Sequence, residues 1–206
     1  MRKIFFMLAI GLIILLFGVL VPLTNSKDDI NFDQAGRIAK WKIEFENLKY
    51  SFSLVNLHEG SILPTFDEAG KIYDKSFILN RIKPYFDVVD INETLLEKYK
   101  YSKMSGKRVT KDSELYFTDF FQTKNGMLLA IKENVIDNDD TFVMFVDING
   151  FENPNKIGQD IFFIEVDRNS VEALGYGLSK MALKTDCSPI GSGVYCSSYY
   201  LLGGSF

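Results

Sequence analysis

Histidine is nearly absent from this 206-residue sequence, because His58 is the only one. Metal centres and catalytic arrangements that need two histidines are therefore excluded. The sequence also contains no G-x-S-x-G nucleophile motif, no phosphate-binding glycine loop and no C-x-x-C pair. With these motifs missing, we expect a protein that is not an enzyme.

An excess of charge of one sign is also missing. The chain has 23 basic and 27 acidic side chains, which gives a net charge of −4. A general nucleic-acid binder usually presents a strongly basic surface. We therefore expect no nucleic acid among the partners of this protein.

One long uncharged run is present, the twenty residues Ile4–Leu23. A helix of this length spans the roughly 30 Å hydrocarbon core of a bilayer. A cleaved signal peptide is the alternative, but its apolar region is usually about 7–15 residues long and precedes a small-residue cleavage site, which is missing here. Because Arg2 and Lys3 precede the run, we expect a single-pass membrane anchor over residues 1–23, with residues 24–206 outside the cytoplasm.

Cysteine is scarce, and both cysteines, Cys187 and Cys196, lie in the last twenty residues. Outside the cytoplasm, a close and even pair predicts a disulfide. A metal-binding pair is the alternative, but C-x8-C with no histidine nearby does not match the spacing of zinc ligands. We therefore predict a disulfide that closes a C-terminal loop.

A helical pattern follows a short polar stalk. Apolar residues recur there at spacings of three and four: Ile38, Trp41, Phe45, Leu48, Phe52 and Val55. This pattern predicts an amphipathic stem helix over about residues 32–58, capped by Asn31 or Asp33 and ended near Gly60. We expect its apolar face to pack on a core, and a free coiled-coil seam is the alternative.

Residues 60–113 have the weakest pattern. Short helices and loops are expected there, and Pro84 is expected to interrupt one helix. Residues 98–111 carry six basic side chains interleaved with Tyr99 and Tyr101. A solvated loop is the simpler interpretation of this run, and a surface for anionic headgroups or an acidic partner is the alternative.

Over residues 114–206, the spacing of apolar residues changes from that of helices to that of strands. An Asn-Gly pair within Thr123–Gly126 predicts a hairpin turn. We expect an antiparallel sheet of three to five strands with the stem helix covering one face, so the fold class is α+β. The segments with strand character are Leu115–Phe121, Met127–Lys132, Thr141–Ile148 and Ile161–Val166.

The loop between the last two predicted strands is rich in side-chain oxygens. Residues 133–167 hold nine acids against one base, Lys156, so the local field favours a cation. The spacing is not that of an EF-hand, and ordinary turn chemistry of Asn, Asp, Gly and Pro is the alternative to a metal site. The candidate Ca²⁺ ligands are Asp147, Asn149, Asn153, Asn155 and Asp160.

The segment Val146–Phe162 resembles the D-x-N-G-x-x-x-P-N-x-x-G-x-D-x-F signature of bacterial type IV pilins and type II secretion pseudopilins. An apolar helix leading into an amphipathic stem, and the loop Cys187–Cys196 followed by aromatic residues, are similar to the two ends of those proteins. The resemblance implies a pilin-like domain over residues 24–206, in which a long N-terminal helix packs on an antiparallel sheet. It also implies a structural subunit in the bacterial inner membrane, and loop calcium of the kind known in pseudopilins.

The chain departs from the pilin pattern near its anchor. Pilin precursors carry a glycine directly before a phenylalanine, and a glutamate five residues into the mature chain. Here Ile4 precedes Phe5, and Ile4–Leu23 contains no glutamate. A minor or tip subunit and a pilin-like domain kept as a plain membrane protein both fit this departure.

Two functional hypotheses follow from the sequence. The first is a non-enzymatic, membrane-anchored, pilin-like structural subunit, a minor component of a type II secretion or type IV pilus system. Its partners would be other pilin-like subunits or secretion-system membrane proteins, together with the lipid bilayer. The second is a membrane-anchored extracytoplasmic sensor domain that binds a ligand or Ca²⁺. An anchored hydrolase has the least support.

Overall fold

The computed structural model describes residues 25–63, 75–132 and 141–205. The predicted anchor, Ile4–Leu23, and the predicted acidic turn, Asp137–Asp140, lie outside these ranges. Within them, no helix combines the length and apolar character needed to cross a membrane. The chain divides into two compact units, residues 1–37 and 38–206, and every site discussed below belongs to the second.

The first helix, α1, runs from Asn25 to Glu59. Its predicted apolar stripe is confirmed, because Ile38 packs against the core and the other five stripe residues are buried. The predicted N-caps are wrong, since α1 begins before both Asn31 and Asp33. Asp33 instead pairs with Arg37 one helical turn further on. The helix ends as predicted at Gly60, whose φ of +80° suits a residue without a Cβ.

The remaining helices are short. Pro84 lies in a 3₁₀ turn, Lys83–Tyr85, directly after α2, so it interrupts a helix as predicted. The side chain of Asn92 accepts a hydrogen bond from the third residue after it, and Ser179 caps its helix in the same way. The helix bounds are α2 (Lys75–Ile82), α3 (Glu93–Lys98), α4 (Lys180–Asp186) and α5 (Cys196–Leu201).

The strands form one antiparallel sheet in which each pairs with the next along the chain. The α+β class is therefore confirmed. The sheet has six strands in the described residues, more than the three to five expected, because a short strand lies at each edge. The predicted strand Leu115–Phe121 is wrong except for its last residue. The bounds are β1 (Val88–Val89), β2 (Phe121–Thr123), β3 (Leu128–Ile131), β4 (Phe142–Asp147), β5 (Ile161–Val166) and β6 (Val171–Ala173).

Both faces of this sheet are covered. On one face, alternate residues of β4 such as Met144 and Val146 join the stripe of α1 in one core. On the other face, Phe145 packs with Tyr101 and Phe117 from the irregular segment of residues 99–120. The hydroxyl of Tyr101 donates to the Leu115 carbonyl at 2.8 Å and accepts from the Phe117 amide at 3.0 Å, which ties that segment together. The sequence predicted a cover on one face only.

The C-terminal segment is held against the sheet. Cys187 and Cys196 form the predicted disulfide. The hydroxyl of Ser197 accepts from the Phe163 amide at 2.8 Å, and the Tyr200 hydroxyl donates to the Gly158 carbonyl at 2.9 Å. The helix α5, which begins at the disulfide-bonded Cys196, is therefore joined both to β5 and to the loop before it.

Candidate functional site

Asp147 begins the candidate loop at the end of β4, where its side chain is fully buried. Its Oδ1 accepts hydrogen bonds from the backbone amides of Asn149 at 3.1 Å and Gly150 at 2.9 Å. Its Oδ2 accepts from the hydroxyl of Tyr99. One carboxylate thus folds the first turn of the loop and binds the segment that covers the second face of the sheet.

Asp160 closes the loop directly before β5, and it is also fully buried. Its Oδ2 accepts from the backbone amide of Asn155 at 2.7 Å, and its Oδ1 from that of Lys156 at 2.6 Å. The two aspartates therefore have equivalent structural roles at the two ends of the loop, since each accepts hydrogen bonds from two consecutive backbone amides.

The asparagines bridge backbone carbonyls within the loop. The amide nitrogen of Asn149 donates to the carbonyls of Glu152 and Asn153, each at 3.1 Å. The surrounding acceptors assign the amide orientation of Asn155, in which its nitrogen donates to the carbonyls of Gly150 at 3.2 Å and Glu152 at 2.7 Å. The side chain of Asn153 is exposed. Of the five predicted Ca²⁺ ligands, the structure brings together three: Asp147, Asn149 and Asp160. Asn153 does not join them, and Asn155 directs its amide nitrogen into the loop.

Two glycines let the loop pack tightly. Gly150 has a φ of +68°, and a Cβ there would meet the Gly126 carbonyl oxygen of the β2–β3 turn at 2.2 Å. Gly158 has a φ of +81°, and a Cβ there would meet the sulfur of Cys196 at 2.6 Å. The loop thus contacts a hairpin on one side and the disulfide on the other, at positions that only glycine fits.

Burial dominates the electrostatics of the loop. It raises the pKa of Asp147 well above its usual range, and the nearby charge of Asp160 raises that pKa further. Burial also raises the pKa of Asp160. The pKa of the Tyr99 phenol is raised by burial first and by Asp147 second. The hydrogen bonds to Asp147 and Asp160 lower their pKa values but do not outweigh burial, so this acidic pair favours a proton or a cation.

One polar atom of the loop is left over. The Oδ1 of Asn149 is buried and has no hydrogen-bond partner among the described residues. The Asn149 side chain also lowers the pKa of Asp160, although less than burial raises it. Oxygens of this kind are what Ca²⁺ coordinates. However, residues 25–63, 75–132 and 141–205 contain no group of three or more His, Cys, Asp or Glu that could hold a metal.

Sequence reasoning missed Tyr99 as a member of this site. Tyr99 lies 48 residues before Asp147, in a run noted for its basic residues. Its ring makes edge contacts with Phe120 and with Phe151 of the loop. An aromatic residue interrupting a charged run was the available signal, but it did not indicate which carboxylate the hydroxyl would meet.

A second feature lies on the exposed side of α1. Ile43, Tyr50 and Leu57 are 62%, 66% and 77% exposed and are spaced by seven residues. Seven residues are close to two helical turns, so these side chains lie in one line along the helix, with the exposed polar residues Glu46, Asn47 and Ser53 between them. The Lys49–Glu46 ion pair lies on the exposed surface beside this line. Because the opposite face of α1 already packs on the core, this line is a candidate surface for contact with another helix.

Comparison of the chain with protein-family models, with curated proteins and with solved structures finds no match. A functional assignment therefore depends on the residues and contacts described above.

Proposed function

We propose that this protein is a non-enzymatic, membrane-anchored, pilin-like structural subunit that acts by packing α1 against helices of neighbouring subunits. It is a minor component of a type II secretion or type IV pilus system. Its anchor, Ile4–Leu23, crosses the bacterial inner membrane with the N-terminus inside. Its partners are other pilin-like subunits or secretion-system membrane proteins.

The apolar line Ile43–Tyr50–Leu57 carries this proposal. These three exposed apolar side chains recur on one helix at a fixed spacing, and a partner that covers them would gain about 25 cal/mol per Å² of apolar area buried. A seven-residue repeat is the spacing with which one helix packs along another. A neighbouring helix is therefore the partner that fits the line.

The candidate loop and the disulfide support the same proposal. The carboxylates of Asp147 and Asp160 bond backbone amides, so the pilin-like signature acts here as a rigid turn. The disulfide between Cys187 and Cys196 is typical of proteins outside the cytoplasm. That location agrees with an anchor whose basic end stays in the cytoplasm.

A photo-crosslinking amino acid at Tyr50 in the full-length protein in its native membrane tests the proposal. We expect a cross-linked product that contains another pilin-like subunit, because Tyr50 lies at the middle of the line. The same crosslinker at Leu202, which is also exposed but lies beyond α5, is the control. A protein that is recovered only as a monomer from both positions would remove the assembly role.

One observation favours the second candidate function, an extracytoplasmic domain that binds Ca²⁺. The unpartnered Oδ1 of Asn149 lies in a loop with two buried carboxylates of raised pKa. A divalent cation would offset the repulsion between these carboxylates. Calcium titration, described in the Discussion, separates this function from a purely structural loop.

A further inference from the structure

A cleft of about 440 Å³ lies between α1, residues 85–87 and the β2–β3 turn. No residue of the Asp147–Asp160 loop lines it, and its α1 residues, Glu44, Asn47, Leu48 and Ser51, lie beside the Ile43–Tyr50–Leu57 line. Apolar and polar groups both line it. The apolar part includes Leu48, Phe86 and Met127, which are themselves buried.

Glu44 is the central polar group of this cleft, and only 8% of it is exposed. Its Oε2 accepts hydrogen bonds from the amide nitrogens of Asn47 at 3.1 Å and Asn125 at 3.2 Å. The Thr123 hydroxyl donates to Oδ1 of Asn125, which fixes the orientation of that amide. Two amide side chains thus hold the Glu44 carboxylate in place, and Thr123 orients one of them.

The other oxygen of Glu44 is left for a ligand. Within the residues that the structure covers, Oε1 has no hydrogen-bond donor and no lysine or arginine forms an ion pair with Glu44. The charged groups around the cleft are Glu44 and Asp87 against Lys124, so one negative charge is uncompensated. Oε1 is open to solvent in the cleft, where a cationic donor would form a strong, charge-assisted hydrogen bond to it.

We propose that this cleft binds a primary alkylammonium group, whose N–H donates to Oε1 of Glu44 while its methylenes lie on Leu48, Phe86 and Met127. An ammonium fits better than a guanidinium, because the planar fork of a guanidinium needs two free oxygens and Oε2 is already taken. A long aliphatic stem with a charged end also matches a cleft that is apolar on one side and polar on the other.

The ammonium group can come from two sources. One is a free small-molecule amine, and this case does not depend on the proposed function. The other is a lysine side chain of a second copy of this chain, and this case rests on the proposed assembly. The experiment therefore includes one measurement for each source.

Saturation-transfer NMR on the full-length protein in detergent tests the free source, with N-acetyl-lysine methylamide as the probe and N-acetyl-norleucine methylamide as its neutral control. We expect saturable binding of the lysine probe, and binding of the norleucine probe that is about tenfold weaker or less. Glu44→Gln should weaken binding of the lysine probe about tenfold, because it keeps the shape of the side chain but removes its charge. Glu46→Gln removes an equal charge from the exposed surface of α1 and should leave binding unchanged.

Sedimentation equilibrium of the same protein tests the second source. Self-association that Glu44→Gln abolishes and Glu46→Gln preserves would assign the ammonium to a second copy. If Glu44→Gln does not fold, Asp87→Asn at an exposed position of the cleft replaces it as the test. Asp87→Asn should weaken binding of the lysine probe about threefold. Equal binding of the lysine and norleucine probes, or no binding together with no Glu44-dependent association, would overturn the proposal.

Discussion

The indole of Trp41 stacks on the ring of Phe162, with centroids 4.4 Å apart and planes inclined by 17°. Trp41 belongs to α1 and Phe162 to β5, so this pair joins the helix to the sheet. The indole Nε1 also donates to the Ser197 carbonyl at 3.0 Å, in α5 directly after the disulfide-bonded Cys196. One side chain of α1 therefore contacts both β5 and α5.

Trp41→Ala should lower the free energy of unfolding by about 3–5 kcal/mol, because it leaves a cavity and an unpaired carbonyl where α1 meets the sheet. Urea unfolding followed by circular dichroism in detergent measures this loss. Tyr176→Ala, at an exposed aromatic residue, is the control and should change the value by less than about 0.5 kcal/mol. A loss below about 1 kcal/mol for Trp41→Ala would contradict a central role for this contact.

Tyr99→Phe should lower the free energy of unfolding by about 1–2 kcal/mol, because it removes only the hydroxyl that donates to Asp147. The ring contacts with Phe120 and Phe151 remain in this variant. Tyr176→Phe, which removes an exposed hydroxyl, is the matched control. An unchanged urea midpoint for Tyr99→Phe would show that the hydrogen bond contributes no net stability.

The stability of the protein should depend on pH through Asp147. Its pKa is raised in the folded state, so the folded protein holds a proton that the unfolded chain releases from about pH 4 upward. The contribution of Asp147 is therefore present at low pH and falls as the pH rises through its raised pKa. The slope for one such carboxyl is at most about 1.4 kcal/mol per pH unit.

Asp147→Asn should flatten this profile, because the asparagine stays neutral and can still accept from the amides of Asn149 and Gly150. Melting temperatures between pH 4 and pH 8 measure the profile. Asp112→Asn removes the same formal charge from an exposed position and serves as the control. A profile for Asp147→Asn as steep as that of the wild type would show that Asp147 does not cause the dependence.

The sequence predicts elements well where one dominant surface sets the period. The stripe on α1 is visible because a single core buries every third or fourth residue. Ile161–Val166 matches β5 to the residue for another reason, since a short continuous apolar run marks a strand that is buried on both faces. The strands β1 and β6, with two and three residues, are too short to show any period.

Contacts between distant segments were not predictable in the same way. Tyr101 and Phe117 form the second core from a segment without regular structure, so no periodic pattern marks their burial. Glu44 is not one of the stripe residues of α1, so the sequence pattern assigns it to the solvated side of the helix. Its burial is settled by Asn125, 81 residues further along the chain. Sites assembled by tertiary packing of this kind leave no local pattern in a single sequence.

Calcium should raise the melting temperature if the candidate loop binds it, because a ligand that binds only the folded state stabilises that state. At a free concentration of 100 times Kd, the stabilisation is about 2.7 kcal/mol. Asn149→Ala and Asp147→Asn should each reduce the shift, whereas Asp112→Asn should not. No shift at millimolar Ca²⁺ in the wild-type protein would remove the calcium function and leave the loop as a structural turn.

Replacing the apolar line on α1 with serine should separate assembly from folding. Ile43, Tyr50 and Leu57 are exposed, so the triple serine variant should lose little stability beyond the small cost of helix propensity. Recovery of pilin-like partners in a membrane pull-down should nevertheless fall several-fold, because the partner helix loses the apolar surface that it covers. Leu202→Ser, which replaces an equally exposed apolar residue outside α1, should leave recovery of the partners unchanged. A triple variant that recovers partners as well as the wild type, with its melting temperature unchanged, would show that α1 does not mediate assembly.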